Sequence, residues 1–435
     1  MPTLEDYLKM NAEQWPEKLA VVCGEERLNY RQLYDRAAER AAQTGGVGKV
    51  VPFRASQDAA FLVEYFALHM AGKVAMPLAK DAPDDVFCAC KRMADGSDVP
   101  DGVADVLFTT GTTGRSKGVM VSSDAIVADA ENLVEAQGYS HDLTFIICGP
   151  LNHIGSLSKI YPTILVGGTL VILEGMKEMD AFFRAIDEAE AQVATFLVPA
   201  SIRMLLAFAG KRLAEYADKI AFIETGAAPI AFADMQKLCA ALPTSRLFNT
   251  YASTETGIIA TFNYNAGECV AGCLGRAMRN SEIMITADGH VACKGHTLMT
   301  GYLGDRQLTE SVMRDGMIVT ADLGLLDAKG QLHLEGRSGD VINVGGYKVV
   351  PTEVEDAAMA LPAVADCLCI PAQHPILGTV LKLLVVVNEG FEFDKRAIAQ
   401  ALKGRLEAYK VPMLYEKVAA IRRTFNGKPD RKSYC

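Results

Sequence analysis

"LFTTGTTGRSKGVMVS", Leu107 to Ser122, carries three glycines, five Thr or Ser hydroxyls ahead of its lysine, and then Lys117. Glycines let backbone N–H groups close on an anion, and the hydroxyls add donors, so the stretch reads as a phosphate cradle. Its flanks decide which kind. A P-loop runs G-x4-G-K-[ST] directly into a helix whose N-terminus faces the phosphates. Here Ser116 precedes the lysine, Gly118 follows it, and "VMVSS" has the texture of a strand. The loop therefore joins two strands and borrows no helix dipole, which argues against a GTPase or a P-loop kinase. A polar hairpin turn is the plain alternative, and so many hydroxyls beside one lysine weigh against it.

Outward from the loop, short apolar runs alternate with helical patterns. "DVLFTT", "TFIICGP", "GGTLVIL", "VATFLVP", "AFIETG" and "RLFNTY" are bounded by Gly, Pro or Asn and read as strands. "MKEMDAFFRAIDEAEA" and "IAFADMQKLCAAL" space apolar residues by three and four, as amphipathic helices do. Such alternation predicts an α/β fold of helix-covered parallel sheets, with ligands beyond the carboxyl ends of the strands. Those ends fall near Thr109, Pro150, Thr225 and Tyr251. After Ala271 the texture becomes that of a β-rich subdomain, and after Gly336 a compact strand-and-helix tail follows. The expected division is a large N-terminal domain over 1–336 and a small mobile α+β domain over 337–435.

The 435 residues are 50% apolar with a formal charge of −10, which disfavours a nucleic-acid partner but permits a local polyphosphate site. "ILVGGTLVIL", the longest apolar run, is far below the ~20 residues that span a bilayer. Eleven scattered cysteines, no zinc-type spacing and no basic–apolar leader at the N-terminus lead to the expectation of a cytosolic protein with reduced thiols and no structural metal.

Further motifs recur in a fixed order: "LNYRQLYDRAAERAA", "GAAP" (Gly226–Pro229), "YASTETG" (Tyr251–Gly257), "TADLG" (Thr320–Gly324), "GRSGDVINVGGYKVVPTEVE" and "NGKPDR" (Asn426–Arg431). With the phosphate loop, this series resembles the adenylate-forming superfamily of acyl- and aryl-CoA ligases, peptide-synthetase adenylation domains and luciferases. The resemblance covers nearly the whole chain. It implies activation of a carboxylate as acyl-adenylate with release of pyrophosphate, then transfer of the acyl group to a thiol. It also implies ATP and Mg²⁺, with CoA as cosubstrate.

Residue by residue, the resemblance assigns Thr109, Thr110, Gly111, Thr112, Thr113, Gly114 and Lys117 to the phosphates. Tyr251 would stack on adenine, with Asn249, Gly226, Ala227 and Ala228 lining the base. Thr254 would donate to the α-phosphate and Glu255 would hold Mg²⁺, a hard cation suited to carboxylate and phosphate oxygens. Asp322 would accept from the ribose hydroxyls and Arg337 would clamp ribose or phosphate. Lys428 would neutralise the charge that grows in the transition state. Taken singly, Asp322 is a turn residue, Arg337 a surface charge and Lys428 part of a solvated basic tail; only the ordered set overturns those defaults.

Two departures stand out. The hinge position, two residues after Arg337, is Gly339 rather than the usual Asp or Lys, so rotation is feasible without a side-chain contact at either end. The phosphate loop also follows "VAMPLAKDAPDD" after only about 30 residues, an abridged N-terminal lobe in which a wall of the acyl pocket could be missing or supplied by a partner subunit. In "GPLNHIGSLSK", His153 matches a gate beside the reacting carboxylate, although a lone histidine is more often structural. Ile154, Leu157 and Gly226 would shape an apolar pocket, and no Asp lies between Gly149 and Lys159 to hold a substrate ammonium. Both an aryl and a medium acyl acid fit. Gly345 and Gly346 would let a pantetheine arm pass closely.

The sequence thus points to an acid–CoA ligase acting on a small carboxylic acid, with no membrane span and with a homodimer allowed. Two rivals stand beside it: an acyl-AMP ligase loading a carrier-protein pantetheine, and a catalytically weak nucleotide-binding regulatory protein.

Overall fold

The computed structural model describes residues 2–46, 48–109, 117–423 and 429–434. The strands expected downstream of the phosphate loop are present. Arg246–Ser253, Ile220–Thr225, Val193–Phe196, Thr144–Ile147, Thr169–Ile172 and Leu19–Cys23 lie side by side in that spatial order, all parallel. Helices cover them because each connection carries a single apolar stripe. Met179–Glu188 buries Phe182, Phe183, Ala185 and Ile186, which recur on one face. Pro199–Ala214 begins with a proline in its first turn, where the missing N–H leaves no bond unmade.

A second sheet holds the phosphate loop. Val50–Ala55, Val74–Ala79 and Val103–Thr109 run parallel, then Lys117–Ser122 and Gly301–Tyr302 join antiparallel. Thr109 sits opposite Lys117 in the register, so the loop does connect two paired strands. The abridged stretch before it is one crossover, the helix Asp84–Asp95 between Val74–Ala79 and Val103–Thr109. Asp105, on the strand entering the loop, is fully buried and takes hydrogen bonds from Tyr65 at 2.7 Å and from the His69 ring at 2.9 Å.

The main core lies between the two sheets. Leu107, Val119 and Val121 of one pack through the helices Ser123–Gln137 and Ile160–Val166 against Phe145, Phe222 and Phe248 of the other. The apolar run from Ile164 is divided by Gly167, which takes a left-handed φ of 71° and ends the helix before the strand Thr169–Ile172. Among the described residues no helix is long and apolar enough to cross a membrane.

Beyond the parallel strands an antiparallel set follows: Cys273–Ala277, Ser281–Ile285, His290–Gly295, Met317–Leu326 and Leu332–Arg337. The tail contains a hairpin, Ile342–Val344 with Tyr347–Val349, and a three-stranded sheet of Val364–His374, Gly378–Val387 and Leu414–Lys417. The helices Pro351–Met359 and Lys395–Lys403 pack there around a core of their own, which includes Val354, Cys369, Leu383, Ile398 and Leu402. Arg203 spans the two parts: its guanidinium lies 3.0 Å from Asp234 and 3.0 Å from Asp366, and Asp366 also meets Arg423. The architecture is mixed α/β, a large sheet-based N-terminal portion with a β-rich subdomain and a smaller α+β C-terminal portion.

Candidate active site

The carboxyl ends of Val193–Phe196, Ile220–Thr225 and Arg246–Ser253 open on one side of the parallel sheet, and most candidate residues stand there or just after. Gly226 directly follows Thr225. A Cβ at Gly226 would sit 2.9 Å from the Thr250 carbonyl oxygen, so only glycine brings this backbone so close. Ala227 then takes a positive φ of 66°, an uncommon conformation for a residue with a Cβ, and is exposed. That strain sits in the loop expected to line adenine. Asn249, buried beside Thr225 in the register, donates to the Cys273 carbonyl at 3.0 Å.

Tyr251, Asp322 and Arg337 converge although 86 residues separate the outer two. The Tyr251 hydroxyl donates to Asp322 Oδ2 at 2.9 Å, and Arg337 Nε donates to Oδ1 at 2.8 Å. Thr320 Oγ1 takes the Asp322 N–H at 3.1 Å and donates to the Val291 carbonyl, which fixes the stretch of strand bearing the carboxylate. Burial, and then the Asp322 charge, hold the Tyr251 hydroxyl far above its ordinary pKa, so it stays a donor. Two donors leave part of the acceptor capacity of the carboxylate open for further hydroxyls.

Thr254 and Glu255 occupy the turn between Arg246–Ser253 and Gly257–Asn263. Ser253 and Thr256 clasp that turn through reciprocal bonds of 3.0 and 3.2 Å. Gly257 closes it at a φ of 69°, where a Cβ would lie 2.7 Å from both Asp129 and the Thr297 carbonyl. Glu255 Oε1 accepts from the Tyr302 hydroxyl at 3.0 Å, and the Lys117 ammonium lies 5.2 Å from the Tyr302 ring centroid. Tyr302 belongs to the short strand paired with Lys117–Ser122, so it ties the lysine of the phosphate loop to the carboxylate expected to hold Mg²⁺. A half-buried carboxylate with one neutral donor and a cation nearby fits a hard divalent ion bridging to phosphate oxygens.

His153 is half-buried at the start of the short helix Ile154–Leu157. Ile154 is half-buried too, whereas Leu157 is fully buried in the main core behind it. Gly345 and Gly346 form the hairpin turn at φ of 58° and 93°, and the neighbouring Tyr347 stacks on Tyr409 of the same tail at 4.6 Å. Gly339 is exposed with nothing within 4 Å of an added Cβ, so this conformation makes no use of its lack of a side chain. Thr110, Gly111, Thr112, Thr113, Gly114 and Lys428 lie outside the described residues.

Two groups escaped the sequence reading. Tyr302 gave no signal, because its role depends on strand pairing. Lys159 and Glu224 did leave one, as single charges inside the apolar runs "LSKIYPTIL" and "IAFIETG".

The chain matches the model of the AMP-binding enzyme over residues 89–303 and that of the AMP-binding enzyme C-terminal domain over 353–428. The chain belongs to the AMP-binding enzyme family. Among its relatives, an indoleacetate–CoA ligase of Aromatoleum aromaticum is 30% identical over 335 residues, 74% of this chain and 65% of that protein. 4-Coumarate–CoA ligase 2 of Petroselinum crispum is 27% identical over 381 residues, 81% of this chain and 69% of that protein. The chain therefore spans about two thirds of the length of such relatives. The solved structure of o-succinylbenzoate coenzyme A synthetase from Bacillus subtilis, in complex with ATP and magnesium ion, superposes with a TM-score of 0.86 at 21% identity. That match covers 98% of each chain and establishes the shared fold.

Proposed function

We propose that this family member is an ATP- and Mg²⁺-dependent acid–CoA ligase. The observation that carries the reading is the meeting of Lys117, Tyr302 and Glu255, which gathers a phosphate-loop cation and a carboxylate suited to a metal around one tyrosine. Related proteins named for CoA ligation, and a fold shared with a synthetase that binds ATP and magnesium, support it. The same names favour CoA over a carrier protein as acceptor, and free thiols accord with a cytosolic setting.

In the first half-reaction a carboxylate oxygen of the acid attacks the α-phosphorus of ATP. Pyrophosphate leaves, and a mixed anhydride of the acid and AMP remains. Lys117 and the loop would grip the departing phosphates, Thr254 would donate to the α-phosphate, and Lys428 would neutralise the transition state. Mg²⁺, held by Glu255, would offset the charge on the phosphate oxygens. Asp322 would accept from the ribose hydroxyls while Tyr251 and Arg337 hold it still, and the backbone from Gly226 to Ala228 would line the base. In the second half-reaction the CoA thiol, losing its proton, attacks the acyl carbon and AMP leaves. The tail, 337–435, would turn about Gly339 between the two, exchanging Lys428 for the Gly345–Gly346 turn. His153 would stand beside the reacting carboxylate.

The decisive assay is ATP–pyrophosphate exchange across a panel of acids, followed by thioester formation with CoA and with a pantetheine-bearing carrier protein. The Lys428→Ala variant is expected to lose carboxylate-dependent exchange by about 10³-fold while calorimetry still detects ATP binding. Undiminished exchange would remove Lys428 from its role. An enzyme that loads the carrier protein and leaves CoA untouched would overturn the choice of acceptor.

A further inference from the structure

Where the tail meets the large portion, four charged side chains form one run of contacts. Arg203 stands near the start of the helix Pro199–Ala214, just past the carboxyl end of Val193–Phe196, at the edge of the candidate site. Its guanidinium donates through Nε to Asp234 Oδ2 and through a terminal nitrogen to Asp366 Oδ1, each at 3.0 Å. Asp366 belongs to the tail strand Val364–His374 and takes Arg423 on its other oxygen. The run Asp234–Arg203–Asp366–Arg423 alternates in sign, and its middle contact is the one that crosses between the two parts.

On the tail side the run ends at a root. Arg423 pairs with Pro429 in an antiparallel bridge, and the Asp430 N–H donates to the Arg422 carbonyl at 2.9 Å. The chain therefore enters and leaves residues 424–428, the span that includes Lys428, at one place. That place is fastened on both flanks. Asp366 holds Arg423 before the span, and Glu355 holds Arg431 after it through paired bonds of 2.6 and 2.8 Å. Glu355 and Arg431 both belong to the tail, so that fastening travels with it, whereas the other continues through Arg203 to the edge of the site. In the same arrangement the Gly345–Gly346 turn and Tyr347 are exposed. The tail thus turns the root of the lysine span toward the large portion and its glycine turn toward solvent.

We propose, resting on the acid-activating reading above, that Arg203 is a positioning residue for the first half-reaction: through Asp366 it docks the root of the Lys428 span at the edge of the site. The contact is suited to release as well as to docking. When the tail turns away, Arg203 keeps Asp234 and Asp366 keeps Arg423, so neither part is left with the unpaired buried charge that makes a broken ion pair costly. Arg203, Asp366 and Arg423 keep 26%, 21% and 25% of their side-chain surface exposed, so water reaches the parted groups. Cutting the bridge therefore lowers the population of the docked arrangement and leaves the thiol step, which follows undocking, unimpaired.

Two variants cut the bridge from opposite sides. Asp366→Ala removes the carboxylate of the tail, and Arg203→Met/Asp234→Leu removes both charges of the large portion together, which buried pairs tolerate better than single removal. One assay is acid-dependent pyrophosphate exchange over aryl, alkyl, dicarboxylic and amino acids. The other is thioester formation from CoA and the synthetic adenylate of whichever acid exchanges fastest. Both variants should lose about tenfold in pyrophosphate exchange, the size of a charge-assisted bond that holds the competent arrangement, and make thioester at the rate of the unaltered chain. In Asp366→Ala, amide deuterium exchange should quicken at the start of Pro199–Ala214, a segment that carries no substitution. Equal loss in both half-reactions would mark a merely structural contact and overturn the proposal. Undiminished pyrophosphate exchange in either variant, or unchanged deuterium exchange in that helix, would overturn it too and leave acid activation standing. Absence of pyrophosphate exchange by the unaltered chain with every acid would instead overturn the parent reading.

Discussion

On the nucleotide side Asp322 receives two donors, Tyr251 at 2.9 Å and Arg337 at 2.8 Å, and its backbone N–H is held by Thr320. On the other side Glu224 is served by Lys159 alone, whose ammonium lies 2.8 Å from both carboxylate oxygens. Both carboxylates are buried and both are served within the fold, Asp322 by an arginine and a tyrosine, Glu224 by a single buried lysine. A carboxylate whose protein donors are in place is preorganised and accepts any ligand that adds a bond to what remains. A carboxylate closed off by one buried ammonium depends wholly on that partner, since removing it leaves an uncompensated charge. The difference suits a ligand-facing carboxylate on one side and an internal ion pair on the other.

The largest effect that would break this contrast is at the internal ion pair. Lys159→Met leaves Glu224 as a lone buried charge and should lower unfolding stability by about 3–5 kcal/mol in denaturant titration. The Lys159→Met/Glu224→Leu double variant should recover most of it. A single variant as stable as the parent would mean that Glu224 reaches solvent or another partner, and the contrast would fail.

Asp129 sharpens the contrast through pH. It is fully buried on the helix Ser123–Gln137, and burial raises its pKa from 3.8 to about 7, opposed by the Ile258 N–H and by Lys159. The raised native pKa means the folded chain holds a proton that the unfolded chain releases between those two values. Its contribution to stability therefore falls as pH rises from about 4 to 7 and is lowest above pH 7. Asp129→Asn keeps an oxygen for the Ile258 N–H, which lies 2.7 Å from Oδ1. The variant should lose about 2 kcal/mol less than the parent between pH 5 and pH 8. Parallel stability curves for the two proteins would refute the raised pKa.

On the nucleotide side the expected change is smaller. Asp322→Asn keeps the shape but weakens charge-assisted bonds to Arg337 and to ribose by about 1.5 kcal/mol in all, so the KM for ATP should rise roughly tenfold. The KM for the carboxylic acid should not move. A shift in that KM would show that the two sides are not independent.

Much of this was legible before any coordinates. The strand–loop–strand setting of Lys117 followed from "VMVSS", and the register of Thr109 against Lys117 agrees with it. The parallel strands were legible because each is a short apolar run closed by Gly, Pro or Asn. Three of the residues read from ordered motifs, Tyr251, Asp322 and Arg337, do converge. Tyr302 was hidden because nothing local in "TGYLG" marks a partner for Glu255; only the pairing of its two-residue strand with Lys117–Ser122 does so. Leu157 was read as pocket lining from its place near His153, yet its turn of helix directs it into the core.

The sequence by itself determined the α/β alternation, the strand-to-strand phosphate loop and the order of the motifs, because periodicity, turn residues and glycine placement act over a few positions. Only the tertiary structure decided which distant groups meet. Glu224 and Lys159 lie 65 residues apart. Each alone is a charge in an apolar run, costly to bury and without a stated purpose. Their meeting beside Phe196 depends on the order of parallel strands in the sheet, a long-range choice that no local pattern encodes.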